Sequence, residues 1–467
     1  MLKRVKALGE KIRYINRLIM EIDKKQTLLQ IQNDRLEEKL RETDLRISEV
    51  CQQIYGLAEK QGKMKSTLLS RISMLEDEWK QMIRYVNPEY LLIPNGERTK
   101  YLLAGFYGAV NLGDELMLQK LYQDLNPVKN DVYVLMCDNA ELDAFLYPGV
   151  NIIHYPQNKF DFNFLSNMFD CVIFGGGAII DDTKYSLRDS YQYDLGRIFV
   201  ELSSAFIGRG KKVYSLGLST NDMLTDVRYI AKLKDVINNS TFFSVRDKYS
   251  AAVLENITGH KINEINDIVL TYDDPEFPER ADGKYRIGII WICNDELKGL
   301  LFELLNYILN KYDTNNTEIK FIPFYNYCDC DPVFYHDICK ELKNGSFSVS
   351  DMPQNYSETC REIYECDLII TMRYHGALLG LKGGRRTLAL LYSQHKHYYN
   401  KMQDLFEKFK QQSDLFLSLE ELKRALPVDQ TETNRKIKFD NNKYEAILSE
   451  LINLSGSRKE EQKDDIF

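Results

Sequence analysis

The feature that most limits what this chain can fold into is the alternation of short apolar runs with helical segments between residues 101 and 391. Such alternation is typical of parallel sheets that are covered by helices on both faces. Six strand-like runs come first: Tyr101–Ala104, Val132–Cys137, Asn151–His154, Cys171–Phe174, Val213–Leu218 and Phe242–Val245. Four more follow: Arg286–Trp291, Ile319–Pro323, Leu368–Thr371 and Thr387–Leu391.

A linker rich in turn formers and charge, residues 273–283, separates the two series of strands. We therefore predict an α/β protein with two Rossmann-like domains, over residues 98–275 and 284–425. The C-terminal ends of the strands in the two domains would then face a common cleft. Residues 430–467 are predicted to form a C-terminal helix followed by a disordered tail.

Residues 1–87 predict a different structure, because they contain no proline and carry apolar side chains at alternating steps of three and four. This spacing is that of positions a and d in a coiled-coil heptad. A helix of this length would span roughly 120 Å at 1.5 Å per residue, far more than one domain can cover. We therefore expect an N-terminal coiled coil. Asn33 falls at an a position, which favours a homo-oligomer in the form of a parallel dimer; docking to another protein is the alternative.

The charge distribution limits the ligands of the remaining chain. The net charge is −8, with +5 on residues 1–86 and −13 on the rest. An acidic body argues against a nucleic-acid groove, so an anionic ligand has to be held by a few local cations and backbone amides. The nine cysteines are scattered, and the close pair Cys328 and Cys330 lacks the second pair of ligands that a zinc site needs.

Location is predicted from the same composition. The chain has no apolar run of about 18 residues, the length a membrane-spanning helix requires, and its start lacks the features of a secretory signal. We expect a cytoplasmic protein with reduced cysteines. The basic residues 1–20 indicate either peripheral contact with the inner face of the membrane or solvated flanks of the coiled coil.

Two glycine-rich loops follow strand candidates of the first domain. Gly105–Glu115 leads into a helix, which suits either an anion at the helix N-terminus or a tight turn in which Asp114 caps the helix. The run Gly175–Gly177 directly follows a strand that ends at Phe174. Consecutive glycines weaken a strand, so this run indicates a close approach, either by a ligand or by a packed backbone neighbour.

Two arginines lie where a buried-looking strand turns into a helix. Arg246 could bind a carboxylate or phosphate through two hydrogen bonds, or could pair with Asp247 or another nearby acid. Arg373 and His375 flank the start of the helix after Leu368–Thr371, where the positive end of the helix favours an anion. Because an imidazole exchanges protons near neutral pH, this junction is a candidate for acid–base chemistry, and helix capping is the alternative.

Four segments, in this order and at these separations, resemble the motifs of the polysaccharide pyruvyl transferase family: Gly105–Glu115, Gly175–Gly177, Ser244–Asp247 and Met372–His375. Tyr392 followed by Lys396 resembles the closing segment of that family, and the resemblance covers roughly residues 98–410. The chain departs from the family at residues 215–219, where the family tends towards a Gly-x-Gly-Ile-Gly-Pro-like turn.

The resemblance implies a GT-B-like fold with the active site between two Rossmann-like domains. It implies a transferase of exopolysaccharide biosynthesis that moves the enolpyruvyl group of phosphoenolpyruvate onto two hydroxyls of one sugar. The acceptor would be a cell-surface polysaccharide or its lipid-linked precursor, and the products a pyruvate ketal and phosphate. No metal is implied, and no cofactor besides the phosphoenolpyruvate donor.

On this basis the candidate site residues fall into three groups. His375 and Arg373 are assigned to catalysis, and the donor is assigned to Arg246, Arg373, Gly176 and Gly177. The acceptor side or its loops are assigned to Asn111, Asp114, Glu115 and Lys396. Two alternatives share the same fold: a GT-B-type glycosyltransferase that uses a nucleotide sugar, and a non-catalytic glycan-binding scaffold.

Overall fold

The computed structural model describes residues 90, 93, 98–136, 150–156, 158–185, 194–220, 224–278, 280–326, 331–342, 345–391, 396–427, 437 and 439–452. The predicted coiled coil, the Cys328–Cys330 pair and the tail beyond residue 452 lie outside these residues. Residues 96–157 and 165–467 belong to one compact unit, which contains both sheets. Within the described ranges, no helix combines the length and the apolar character needed to cross a membrane.

The first sheet has seven strands in the described part of the chain. They are β1 Lys100–Ala104, β2 Asp131–Met136, β3 Asn151–His154, β4 Cys171–Gly175, β5 Lys212–Leu218, β6 Phe242–Val245 and β7 Asn263–Glu264. Their order is β3-β2-β1-β4-β5-β6-β7, and neighbouring strands are parallel. The order reverses between β1 and β4, and a ligand crevice forms at the C-terminal ends of strands that flank such a reversal.

The second sheet repeats this arrangement with six described strands. They are β8 Tyr285–Ile290, β9 Thr317–Phe321, β10 Ser346–Val349, β11 Leu368–Thr371, β12 Arg386–Leu390 and β13 Leu415–Phe416. Their order is β10-β9-β8-β11-β12-β13, again parallel throughout. The reversal lies between β8 and β11. The two strand orders define two Rossmann-like domains.

Helices connect the strands in both domains. They are α1 Leu112–Asp124, α2 Lys159–Met168, α3 Leu195–Ile207, α4 Val227–Asn239, α5 Lys248–Thr258, α6 Asp295–Lys311, α7 Asp331–Glu341, α8 Tyr356–Tyr364, α9 Tyr374–Lys382, α10 Lys396–Lys408 and α11 Leu419–Ala425, followed by α12 over residues 442–452. Most α-helix starts are fixed by a side chain, as at α5, where Asp247 accepts the Ser250 N–H at 2.8 Å. The residues before α1 and α9, Asn111 and Arg373, make no such bond, which leaves both side chains for other contacts.

The two domains are packed against each other. Asn111, at the end of the first glycine-rich loop, forms an isolated antiparallel bridge with Tyr325 of the second domain. Helix α12 follows the second domain in the chain and contacts the first, where the hydroxyl of Tyr101 donates to the Leu451 carbonyl oxygen at 2.6 Å. One buried apolar cluster includes side chains of both domains, among them Leu103, Leu116, Ile290 and Leu378.

The ten strands predicted from the sequence coincide with β1 to β6, β8, β9, β11 and β12. Three strands were not predicted. β7 and β13 have only two residues each, and β10 is a half-buried strand at the edge of its sheet. The structure confirms the prediction of two Rossmann-like α/β domains, whereas the coiled coil stays a prediction.

Candidate active site

A cavity of about 420 Å³ lies where the C-terminal ends of the strands from both sheets face each other. Open parallel sheets bind their ligands at this position. The first domain contributes residues that follow β1, β4 and β6, and the second domain contributes residues that follow β8, β9 and β11 together with α10. The lining residues are Phe106, Asn111, Asp114, Ala178, Leu195, Arg246, Ile292, Phe324, Arg373, Tyr374, His375, Tyr398 and Lys401.

Arg246 is only 5% exposed, and buried partners hold its guanidinium in place. Nη1 lies 2.6 Å from Oδ2 of Asp267, and Nε donates to Oγ of Ser219 at 3.0 Å. Burial disfavours the charge of Arg246, but Asp267 holds the pKa of the guanidinium above its ordinary value. Arg246 is therefore a fixed cation in the cavity wall. Its partner is Asp267, whereas Asp247, the partner considered from the sequence, caps α5 and accepts the Ser219 hydroxyl at 2.5 Å.

His375 lies beside this ion pair. Its Nε2 is 3.5 Å from Oδ2 of Asp267 and 3.5 Å from Nη1 of Arg246. The imidazole also packs against Gly113, because a Cβ added at that position would lie 1.8 Å from Nδ1. Only glycine leaves room for the ring there. The first glycine-rich loop and the Arg373–His375 segment, far apart in the sequence, thus build one site.

Arg373 reaches the cavity from the second domain. Its Nη2 lies 2.8 Å from Oδ1 of the buried Asp331, and its Nε donates to the Trp291 carbonyl oxygen at 3.2 Å. Burial opposes the charge of Arg373, while Asp331 keeps the pKa of the guanidinium above its ordinary value. Nη1 has no hydrogen-bond partner among the described residues, and Arg373 lines the cavity. This nitrogen is therefore open to an anionic ligand.

Asp114 and Asn111 line the same cavity from the start of α1. Burial raises the pKa of Asp114 to about 6, although the nearby His375 and Arg246 act in the opposite direction. A buried carboxyl that titrates near neutrality, next to a histidine, suits proton transfer. The Asn111 side chain makes no capping bond to α1.

The remaining predicted site residues lie elsewhere. Oε1 of Glu115 accepts the N–H groups of Gly108 and Val110, at 3.0 and 3.1 Å, so Glu115 holds its own loop together behind the cavity wall. Gly176 and Gly177 take φ values of 76° and 83°, which favour glycine.

The amide of Gly176 donates to the Leu216 carbonyl oxygen at 2.8 Å, and its neighbour Ala178, rather than either glycine, lines the cavity. Gly176 is thus engaged with β5, and its N–H is not available to an anion. Lys396 begins α10, and its side chain lies outside the described part.

Four residues of the site were not predicted. Asp267 and Asp331 hold the two arginines, and α10 brings Tyr398 and the 4%-exposed Lys401 to the cavity. Asp267 precedes the apolar run 268–270 and caps that turn, a signal shared by many ordinary turns. Asp331 is followed by a proline, which marks a helix start but not a partner. The sequence carries no comparable signal for the inward face of α10.

The arrangement suits a ligand with two anionic groups. It gathers two fixed guanidiniums, a buried ammonium, an imidazole and a carboxyl of raised pKa around one cavity. These groups can bind a phosphate and a carboxylate and can move a proton at the ligand. In the part of the chain that the structure describes, no group of three or more His, Cys, Asp or Glu side chains is placed to hold a metal ion.

Fold and site together define a protein with two Rossmann-like domains and a polar, arginine-containing cavity between them. The chain belongs to the polysaccharide pyruvyl transferase family, whose sequence model matches residues 111–394. This match includes Asn111, Arg246, Arg373 and His375, and it confirms the family predicted from the four motifs. The family is one of transferases. A search of curated proteins gave no match.

Solved structures with a similar fold act on, or are bound to, nucleotide compounds according to their descriptions. S. aureus MnaA, in a co-structure with UDP, is 11% identical with a TM-score of 0.47 and covers 75% of this chain and 95% of its own. A UDP-GlcNAc 2-epimerase from Methanocaldococcus jannaschii is 10% identical with a TM-score of 0.47 and covers 76% and 99%. Acinetobacter baumannii MurG is 10% identical with a TM-score of 0.41 and covers 78% and 95%. The fold assignment itself rests on the two strand orders.

Proposed function

We propose that this protein transfers the pyruvyl carbons of phosphoenolpyruvate onto two hydroxyls of one sugar, in a cell-surface polysaccharide or its lipid-linked precursor. The observation that carries the proposal is the convergence of Arg246, Arg373 and His375 on a single cavity. Membership of the polysaccharide pyruvyl transferase family supports it. The donor holds its phosphate and carboxylate on adjacent atoms, so two guanidiniums in one wall match its charges.

The reaction balances without a metal or redox partner. One acceptor hydroxyl loses its proton and its oxygen bonds to C2 of the donor, while C3 gains a proton and becomes a methyl group. The C2–O bond to phosphate then breaks, and the second hydroxyl bonds to C2 and loses its proton. The products are one pyruvate ketal and one phosphate.

The proton transfers are assigned to groups that line the cavity. His375 removes the proton of the first hydroxyl and delivers one to C3. Asp267, 3.5 Å from Nε2, stabilises the imidazolium that forms between these steps. Asp114, whose pKa burial raises to about 6, serves as the second titrating group near the acceptor. Arg246 and Arg373 hold the donor and the departing phosphate.

Donor preference tests the proposal directly. Phosphoenolpyruvate should raise the melting temperature of the wild-type protein, and UDP-N-acetylglucosamine should not, because ligands stabilise the folded state that binds them. Arg373→Ala should lose most of the phosphoenolpyruvate effect. In a second step, phosphoenolpyruvate and a panel of lipid-linked glycans should yield phosphate with at least one acceptor.

Each alternative gives a different result. A nucleotide-sugar glycosyltransferase would be stabilised by the UDP-sugar and would release UDP on turnover. A non-catalytic scaffold would bind a glycan and release no phosphate with any acceptor. Either result would refute the proposal.

A further inference from the structure

The carboxylate of Asp331 lies between the donor site and the contact between the domains. Asp331 is fully buried at the start of α7. Its Oδ1 is 2.8 Å from Nη2 of Arg373. Its Oδ2 accepts the backbone N–H groups of Phe324 and Tyr325, both at 2.9 Å. The two oxygens therefore hold two different structures, the Arg373 guanidinium and the segment that follows β9.

That segment is the part of the second domain that pairs with the first glycine-rich loop. The carbonyl oxygen of Phe324 accepts the N–H of Leu112 at 2.9 Å, and Asn111 forms its antiparallel bridge with Tyr325. The preceding Val110 has φ 51°, in the left-handed region that a β-branched residue rarely adopts. Such a conformation persists only where surrounding contacts fix it, and the bridge supplies such contacts.

We propose that Asp331 is a positioning residue of the donor site. One of its oxygens orients Arg373 towards the donor, and the other fixes the backbone that joins the second domain to Asn111. Asp331 stands behind Arg373, outside the cavity wall, so it acts through its partners and does not touch the donor. The inference deepens the proposed function, on which it rests.

Two substitutions separate the two contacts. Asp331→Asn keeps one oxygen for the backbone N–H groups of Phe324 and Tyr325 but turns an amide nitrogen towards Arg373. Asp331→Ala removes both contacts. Asp337→Asn is the matched control, because Asp337 lies on the same helix, is 55% exposed and pairs only with Lys340 among the described residues.

Donor binding and amide exchange are then measured on the full chain. Asp331→Asn should weaken phosphoenolpyruvate binding roughly 10- to 100-fold, the range for loss of an oriented charge-assisted contact, with wild-type exchange over residues 105–116. Asp331→Ala should weaken binding at least as much and should also speed amide exchange over residues 105–116, which lie in the other domain. Asp337→Asn should change neither.

A double-mutant cycle distinguishes positioning from a general structural role. If Asp331 acts through Arg373, the pair Asp331→Asn with Arg373→Ala should bind the donor within about twofold of Arg373→Ala alone. Multiplying effects would overturn the inference, and so would wild-type exchange over residues 105–116 in Asp331→Ala. Should Asp331→Ala not fold, the Asn variant and the cycle decide. A wild-type protein that binds no phosphoenolpyruvate refutes the proposed function instead, and the exchange result still reports on the domain contact.

Discussion

Replacing Gly113 with alanine should displace the imidazole of His375. The added Cβ would lie 1.8 Å from Nδ1, 2.2 Å from Cγ and 2.6 Å from Cε1, whereas ordinary contacts begin at 3.4 Å. The ring or the first turn of α1 therefore has to move by about 1.6 Å to reach van der Waals distance. The ring is a rigid group near its backbone, so it has few ways to give.

The expected loss is mainly catalytic. A shift of this size breaks the arrangement in which Nε2 lies 3.5 Å from both Asp267 and Arg246. Misplacement of a catalytic group by about 1 Å can cost roughly 100-fold in rate. We therefore expect kcat to fall at least about 100-fold, while donor affinity changes by only a few fold because both arginines stay in place. Overpacking should cost roughly 1–3 kcal/mol of stability, partly offset by the higher helix propensity of alanine.

The assay is phosphate release from phosphoenolpyruvate with a productive glycan acceptor, together with thermal unfolding. Gly299→Ala provides the matched control, because Gly299 is an exposed glycine within α6 whose added Cβ would meet no atom within 4 Å. It should keep wild-type kcat and gain up to about 1 kcal/mol of stability. A Gly113→Ala protein with near wild-type kcat would refute the packing of His375 against α1 or its catalytic role.

Three further perturbations test the charges of the site. Asp114→Asn should gain stability relative to wild type, by up to about 3 kcal/mol, as the pH rises from about 4 to above 6. The reason is that burial raises the pKa of Asp114 from 3.8 to about 6, so the wild type loses stability as this carboxyl ionises. Asp267→Asn leaves the buried charge of Arg246 unpaired and should cost about 3–5 kcal/mol at neutral pH. Because the Arg246 guanidinium outweighs burial and holds the pKa of Asp267 below its ordinary value, this loss should shrink only below about pH 4. Arg373→Ala should mainly raise the donor KM, roughly 10- to 100-fold, whereas His375→Asn should lower kcat by roughly 10²- to 10⁴-fold with donor binding nearly intact.

Each of these has its own contradicting result. Parallel stability–pH curves for wild type and Asp114→Asn would show that this carboxyl is not destabilised by burial. Glu341→Gln removes an exposed ion pair with Lys298 and should cost less than about 1 kcal/mol. An equally small cost for Asp267→Asn would show that its pair contributes no more than an exposed one. If the Arg373 and His375 variants both lose thermal stability but keep activity per folded molecule, the two residues only support the helix start.

The fold was largely readable from the sequence because the central strands are buried on both faces. β1 and β4 have every residue buried, and so appear as continuous apolar runs. β7 and β13 could not be predicted, since two residues carry no periodicity. β10 lies at an edge, where half-buried polar residues alternate with apolar ones.

The site was readable where chemistry coincides with a strand end. Arg246, Arg373 and His375 follow β6 and β11 directly, so the parallel topology itself brings them to one edge. Asp267 and Asp331 are defined by partners across space, and no local pattern distinguishes them from ordinary turn and helix-start residues. Glu115 shows the converse limit, because a carboxylate beside a glycine-rich loop can hold the loop instead of a ligand.

Transfer of the pyruvyl group itself is tested most directly by following C3 of the donor. Phosphoenolpyruvate labelled with ¹³C at C3 is incubated in D₂O with the protein and a lipid-linked glycan, and the carbon is observed by NMR. The account predicts that the vinyl methylene signal is replaced by a glycan-bound methyl carrying one deuterium, with one phosphate released per ketal, and that His375→Asn abolishes the change. A label that stays in phosphoenolpyruvate or appears only in free pyruvate, while a UDP-sugar is consumed with the same glycan, would contradict it.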